Sequence, residues 1–248
     1  RLFKIHNFSQ RLPTLCIIDD PAYLTVEIPG QRESGLDVIF RENPFITGKD
    51  TGIFNLAALT ADPLPGGRAL LTSIVQKLAN QRNQSAHNAA LSWFDAYLAC
   101  MLDPMLDLYD RHGIALEAHQ QNSLLDVHSG MPPRAYYRDN QGYYIDENEL
   151  PTLCAAEPSL TDITNVAFAR SYINERFAYY LFVNQVFAVI RRLGRDGLVE
   201  EPTLLQRLAS HLKSLAPRYK YAAADFIDYL LTSPQIASKA DLLTRIHD

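Results

Sequence analysis

The stretch Gly113–Gly142, GIALEAHQQNSLLDVHSGMPPRAYYRDNQG, constrains the fold more than any other part of the chain. It breaks helix-periodic sequence on both sides with short apolar runs, turn residues and a dense polar set. Glu117, His119, Gln121 and Asn122 bring a carboxylate, an imidazole and two amides into six residues. Arg138-Asp139 follows after a turn-rich gap. Leu124–His128 and Ala135–Arg138 read as strands about a Gly130–Pro133 turn; Asn140–Gly142 is the next turn and Tyr143–Ile145 a third strand. Ile114–Asn122 is a strand leading into a helical turn or a strand alone, since periodicity does not decide so short a run. This path returns Asp139 towards Glu117 and Asn122. Two carboxylates so placed can hold a hard divalent cation, because Mg²⁺ takes one or two carboxylates plus phosphate oxygens. His, Gln and Arg donate to phosphate or carboxylate oxygens. The same residues would equally serve as solvated polar groups beside a hairpin.

Before this stretch the chain turns from strands to helices. Leu2–Phe8, Thr14–Ile18, Tyr23–Ile28 and Leu36–Phe40 read as strands of an antiparallel meander, punctuated by Pro21, Pro29-Gly30 and Gly35. The meander ends in Arg41-Glu42-Asn43-Pro44. Arg41 at the mouth of a sheet can face an anion, or pair with Glu42 at the surface. Gly48–Gly67 reads as a loop with one short helix, and Arg68–Gln81 as a helix. Ser85 is an N-cap for a long helix to about His112, with Ala89, Trp93, Ala96, Tyr97, Cys100, Met101, Met105 and Leu108 on its apolar face. Pro104 is expected to kink or split it, and Gly113 to end it as a C′ glycine.

From Leu160 onward the pattern is helical. Thr161-Asp162 is the expected cap of a helix reaching Gly194, whose apolar and aromatic residues indicate core. Arg170 and Arg176 stand out there, because a charge on so apolar a helix needs a partner. Pro202 opens a helix to about Leu215; Ala222–Leu231 and Ala237–Ile246 follow, with Lys239 opening the last, where a helix N-terminus suits an anion. The expected fold class is α+β: a mixed or antiparallel sheet lobe over residues 1–157, then an all-helical lobe over 158–248, with a cleft between them.

A chain of 248 residues can bury a substantial core. A net charge of −5 without a basic run speaks against a nucleic-acid partner. No apolar stretch reaches the roughly 18 residues of a membrane span, and RLFKIHNF has no signal-peptide core. Cys16, Cys100 and Cys154 are widely spaced, with no CxxC pair. They read as free thiols in a reducing cytoplasm.

E-A-H-Q-Q-N followed by Y-R-D-N-Q-G resembles the signature of siderophore synthetases that work without a peptide-synthetase assembly line, the aerobactin-synthetase or IucA/IucC family. The family pattern is Glu-x-His-x-Gln-Asn, then Arg-Asp some fifteen residues on. Asn174–Ile190, NERFAYYLFVNQVFAVI, resembles the family's helix at the equivalent place, and the similarity runs from about Leu36 to the chain end. The resemblance implies a cupped hand with a mixed-sheet palm and a helical thumb. It implies ATP-dependent adenylation of a citrate-type carboxylate, free citrate or a half-amide, and its condensation with an amine or hydroxyl.

On the matching residues, Glu117 and Asp139 would hold Mg²⁺, and His119, Gln121, Asn122 and Arg138 would contact ATP. His119 and Arg41 are the catalytic candidates; Arg176, Tyr179 and Lys239 are those for the substrate carboxylates. The family also uses an upstream Ser/Thr-rich segment with Arg and Lys to grip the triphosphate. Nothing here matches it, so the chain is expected to be a fragment carrying about half of the ATP site. A homodimer is left open. Other classes are a non-catalytic siderophore- or carboxylate-binding module, an iron-siderophore reductase, which would need a cysteine cluster, and a phosphotransferase releasing ADP.

Overall fold

Two small sheets carry the polar stretch and pack on a helical layer. The structure, a computed structural model, describes residues 13–30, 35–46, 48, 51–139, 142–163 and 165–238. The strands are β1 (Leu15–Ile17), β2 (Ala22–Thr25), β3 (Asp37–Phe40), β4 (Ile53–Asn55), β5 (Ile114–Leu116), β6 (Ser123–Asp126), β7 (Arg134–Tyr137), β8 (Tyr143–Asp146) and β9 (Ala167–Phe168). The α-helices are α1 (Leu56–Thr60), α2 (Leu70–Gln81), α3 (Ala86–Tyr97), α4 (Asp103–His112), α5 (Leu150–Ala156), α6 (Arg170–Phe177), α7 (Phe187–Arg195), α8 (Glu201–Leu215) and α9 (Ala222–Thr232). One sheet has the order β1-β7-β6-β4, another the order β5-β8-β9, and β2 and β3 form a ribbon. The architecture is α+β with mixed sheets, as expected.

The expected N-terminal meander is not formed by the described strands. β1 pairs in parallel with β7, and only β2 and β3 pair antiparallel. Burial explains the choice: Leu15 and Ile18 are buried against the β7 side, whereas every residue of β2 and β3 is exposed. The strand expected at Leu2–Phe8 lies outside the described residues, as does most of the helix expected at Ala237–Ile246. Gly48–Gly67 holds α1 as anticipated, but also β4, which is too short to show a period and exists because it pairs with β6.

The long central helix starts where Ser85 predicts, its hydroxyl accepting from the Asn88 N–H at 3.1 Å. Gly113 ends it in the left-handed region at φ 62°, donating to the Tyr109 carbonyl at 2.9 Å. The run is not broken at Pro104. It widens into a π-helical turn at Leu98–Leu102, which ends two residues before that proline. A proline lacks the N–H that an α-helix interior uses, and a widened turn absorbs the misfit.

The region after Leu160 is not wholly helical. β9 joins β8 in parallel, pairing Ile145 with Ala167 and Asp146 with Phe168. The helix therefore begins at Arg170 and not at Thr161, with Ala169 extended before it. It widens into a nine-residue π-helical segment, Ala178–Val186, before continuing as α7. Trp93, Phe94, Tyr97, Tyr109, Phe177, Phe182 and Phe226 are fully buried in one core that runs from Leu15 to Ile227. Among the described residues, no helix is long and apolar enough to cross a membrane.

Arg170 has the partner its setting demands. It bonds the fully buried Asp146 at 2.8 Å and Asp225 at 2.6 Å, tying α6 to β8 and α9. Burial pushes the Asp146 carboxyl up, but its Asn148 donors and the Arg170 guanidinium outweigh this and hold it below the usual range. A carboxyl depressed by folding stabilises the fold above its unfolded value and ceases to do so as pH falls through its folded value. Arg170→Met is expected to cost about 3 kcal/mol in denaturant unfolding, because it strands a buried charge. Asp146→Asn is expected to flatten the loss of stability below about pH 4.

Candidate active site

The polar stretch leaves β5 in a tight reversal. The Glu117 N–H donates to Gly142 O at 2.8 Å, His119 N–H to Glu117 O at 2.8 Å, and Asn122 N–H to His119 O at 2.9 Å. Asn122 is thereby tucked under the turn, 8% exposed. Its Nδ2 lies 2.9 Å from Asp139 Oδ2, 3.2 Å from Glu117 O and 3.3 Å from His119 Nε2. An amide nitrogen has two protons, so it serves Asp139 and one of the other two acceptors at a time.

Asp139 follows β7 at φ 105°, a conformation L residues rarely adopt. Such strain costs roughly 1–3 kcal/mol and gathers at functional positions. The Arg138 N–H, donating to Asn122 O at 2.9 Å, holds this corner down. Gly142 closes the arrangement. A Cβ there would stand 3.0 Å from Asp139 Oδ2 and 3.1 Å from Glu117 Oε2, so the two oxygens lie within about 6 Å of each other around it. The Gly142 carbonyl also accepts from the buried Tyr137 hydroxyl at 2.8 Å. Tyr144 donates to Glu117 Oε1. Burial, then the Glu117 carboxylate, pushes the Tyr144 hydroxyl far above its ordinary value, so it keeps its proton.

The π-helical segment supplies the facing wall. His119 packs on Tyr180 at 5.9 Å between ring centroids, and Tyr180 on Tyr179 at 5.2 Å. Gln120 donates from Nε2 to Asn184 O at 2.6 Å and from its N–H to Asn184 Oδ1 at 3.2 Å. One residue on, Gln185 is fully buried, accepting from Ser123 at 2.8 Å and donating to Tyr97 at 3.1 Å. Between these walls is a cavity of about 530 Å³, lined by Ala57, Glu117, His119, Gln120, Gln121, Tyr179, Tyr180 and Asn184.

Glu117, His119, Gln121, Asn122, Asp139 and Tyr179 are thus brought to one place. Arg138 uses Nε on the Gln121 carbonyl at 3.0 Å. Arg41 does not pair with Glu42: Nε and one Nη grip Asp20 at 2.6 and 2.9 Å. The Asp20 bond raises its pKa, with Asp139 and Tyr137 near enough to add to the effect. Arg176 lies 4.9 Å above the Tyr172 ring and has no carboxylate partner among the described residues. Lys239 lies outside the described residues. Among those described, no group of three or more His, Cys, Asp or Glu side chains is placed to hold a metal; the carboxylate oxygens at Gly142 are a pair.

Gln120, Tyr144, Tyr180 and Asn184 were not anticipated from sequence. Asn184-Gln185 carried a signal: two adjacent amides inside an apolar helix must find partners when buried. Tyr144 gave none, because a strand tyrosine is ordinary core material.

Residues 91–248 match the family model described as "Ferric iron reductase FhuF-like transporter". The chain is 37% identical, over 98% of its length, to a spermidine–citrate ligase of Bacillus anthracis, of which it covers 40%. It is 35% identical, over 97% of its length, to the rhizobactin siderophore biosynthesis protein RhbC of Rhizobium meliloti, of which it covers 41%. Its fold superposes on that of ATP-bound aerobactin synthetase IucA from Klebsiella pneumoniae with a TM-score of 0.90 at 26% identity, over 100% of this chain and 44% of that one. The chain belongs to the FhuF-like family in the form found in the C-terminal portion of IucA/IucC-type siderophore synthetases. It spans about 40% of the length of the curated relatives it matches.

Asn122→Ala is expected to cost about 1–3 kcal/mol in denaturant unfolding, because it removes the buried donor to Asp139. Asn122→Asp is expected to cost more, since it sets a second carboxylate against Asp139.

Proposed function

We propose that this chain forms part of a cytoplasmic synthetase that activates a citrate-type carboxylate with ATP as an acyl-adenylate and passes the acyl group to an amine or hydroxyl in siderophore synthesis. The observation that carries this reading is the Glu117–Asp139 oxygen pair around Gly142, beside His119 and a polar cavity. The named activities of the relatives and the ATP-bound state of IucA support it. The division at residue 157 into a palm-like and a thumb-like lobe is part of the proposal, with the cavity drawing residues from both spans.

The residues present fit Mg²⁺. Two hard carboxylate oxygens converge on a space that any side chain at position 142 would fill, and Mg²⁺ takes one or two carboxylates together with phosphate oxygens. When bound, the ion neutralises nucleotide phosphate charge. Glu117 and Asp139 would hold it, and Asn122 keeps Asp139 aimed. His119, Gln121 and Arg138 would donate to phosphate oxygens, and His119 to the charge that builds as the carboxylate oxygen bonds to the α-phosphorus and pyrophosphate leaves. The amine nitrogen then attacks the acyl carbon, AMP departs, and the amine proton passes to solvent. Arg41, close to Asp139 and anchored on Asp20, would orient the anion being activated. Arg176, Tyr179 and Lys239 would take the spare carboxylates, for which a guanidinium fork is suited.

Pyrophosphate exchange by the full-length protein, across a panel of polycarboxylates, tests the whole reading. Exchange that depends on a citrate-like acid is the expected result, and release of ADP with none would sink it. His119→Ala is expected to slow exchange about 10²–10³-fold with an unchanged melting temperature. Arg176→Ala is expected to raise KM for the carboxylate while leaving KM for ATP nearly constant. A change confined to ATP would remove Arg176 from the carboxylate platform.

A further inference from the structure

We propose that Tyr144 is a positioning residue, fixing one oxygen of Glu117 so that the other faces Asp139 across Gly142. The inference rests on the reading of Glu117 and Asp139 as a metal-holding pair and adds a residue that the sequence motif does not contain. The pairing of β5 with β8 continues one step past the strand ends through the Glu117 N–H to Gly142 O bond, so Gly142 stands opposite Glu117 with Tyr144 two residues further along, and the two bracket Glu117. The Gly142 carbonyl takes the Glu117 N–H at 2.8 Å, and its missing Cβ leaves the space into which Oε2 points. The Tyr144 hydroxyl takes Oε1. Register fixes the bracket, because β8 pairs Tyr144 with Ala115 and Tyr143 with Leu116, directly before Glu117.

The Tyr144 ring is itself held. Phe168 meets it edge-on at 5.5 Å and Tyr172 at 6.2 Å, and those two rings stack at 5.0 Å. Arg176 lies over the Tyr172 ring at 4.9 Å. A glutamate otherwise turns about three side-chain bonds and would swing away from a neighbouring carboxylate. A protonated hydroxyl on a clamped ring stops that motion without adding charge. The partner of a metal-holding carboxylate typically controls metal affinity about 10–100-fold when it is removed.

The test is Mn²⁺ binding by the full-length protein with saturating α,β-methylene ATP, which cannot lose pyrophosphate, read from the free-Mn²⁺ paramagnetic resonance signal. Tyr144→Phe keeps the ring packing and is expected to weaken Mn²⁺ binding about tenfold. Glu117→Gln is expected to weaken it too, and adding Tyr144→Phe to Glu117→Gln to change nothing further. Unchanged affinity in Tyr144→Phe overturns the proposal, as does an equal loss in both backgrounds, which would mean that Tyr144 acts elsewhere. A Tyr144→Phe protein that no longer folds overturns it as well, because the hydroxyl would then hold the fold and not the carboxylate. If Glu117→Gln leaves the affinity intact, the metal reading falls and this proposal with it. A Glu117 effect without a Tyr144 effect removes only the proposal.

Discussion

Two carboxylates held within about 6 Å of each other set the problem that the surrounding structure solves. At that separation and an effective dielectric of about 20, their repulsion is roughly 3 kcal/mol. The chain meets it with donors from separate elements: Asn122 from the turn after β5, Tyr144 from β8, and Arg41 nearby at the end of β3. None of these is a sequence neighbour of the acid it serves. Sheet register is therefore what brings these donors to the pair. A one-residue slip of β8 against β5 would turn Tyr144 to the opposite face and move Gly142 off Glu117. The Asp146–Arg170–Asp225 link opposes such a slip, because it pins the C-terminal end of β8 to α6 and α9.

The facing wall is tied to the same pair by two amides, one half-buried and one fully buried. Asn184 holds Gln120 and Gln185 holds Ser123, so consecutive residues of the π-helical segment clamp both sides of Asn122. An unmet buried polar group costs about 1–3 kcal/mol, so the segment keeps this register or forfeits both bonds. π-Helical turns recur at functional sites for this reason: they aim side chains that regular helix spacing would send elsewhere. Here they direct Tyr179, Tyr180 and Asn184 into one cavity.

What could be read from sequence follows the range of the interactions. Ser85 as a cap and Gly113 as a left-handed stop were legible because each acts within four residues. The approach of Asp139 to Asn122 was legible because two strands and a turn leave the chain one way back. The parallel pairing of β1 with β7 was not, since it joins segments more than a hundred residues apart whose local pattern fits an antiparallel neighbour equally well. β9 is two residues long and has no period to detect. Arg170 announced a need for a partner but not its identity. Of the two settings the sequence offered Arg41, pairing with Glu42 is not the one formed: Glu42 is adjacent, yet a bidentate grip on Asp20 suits a guanidinium better.

The family description names a ferric reductase, while the relatives of high identity are ligases, and the cysteines bear on which chemistry this chain can support. An iron–sulfur centre is held by thiolates that converge. Cys16 lies in β1, Cys100 in the π-helical turn of the long helix and Cys154 in α5, and all three are free thiols. Burial pushes Cys100 up to about 12 and raises Cys16 as well, so both thiols keep their protons at neutral pH. The oxygen and nitrogen donors, by contrast, do converge: Asn122 joins Asp139 to His119, and Glu117 and His119 line a polar cavity beside them. Hard donors around a polar space suit a hard cation and phosphate. The converging oxygen and nitrogen donors, and not the sulfur atoms, are therefore the groups on which the proposed reading rests.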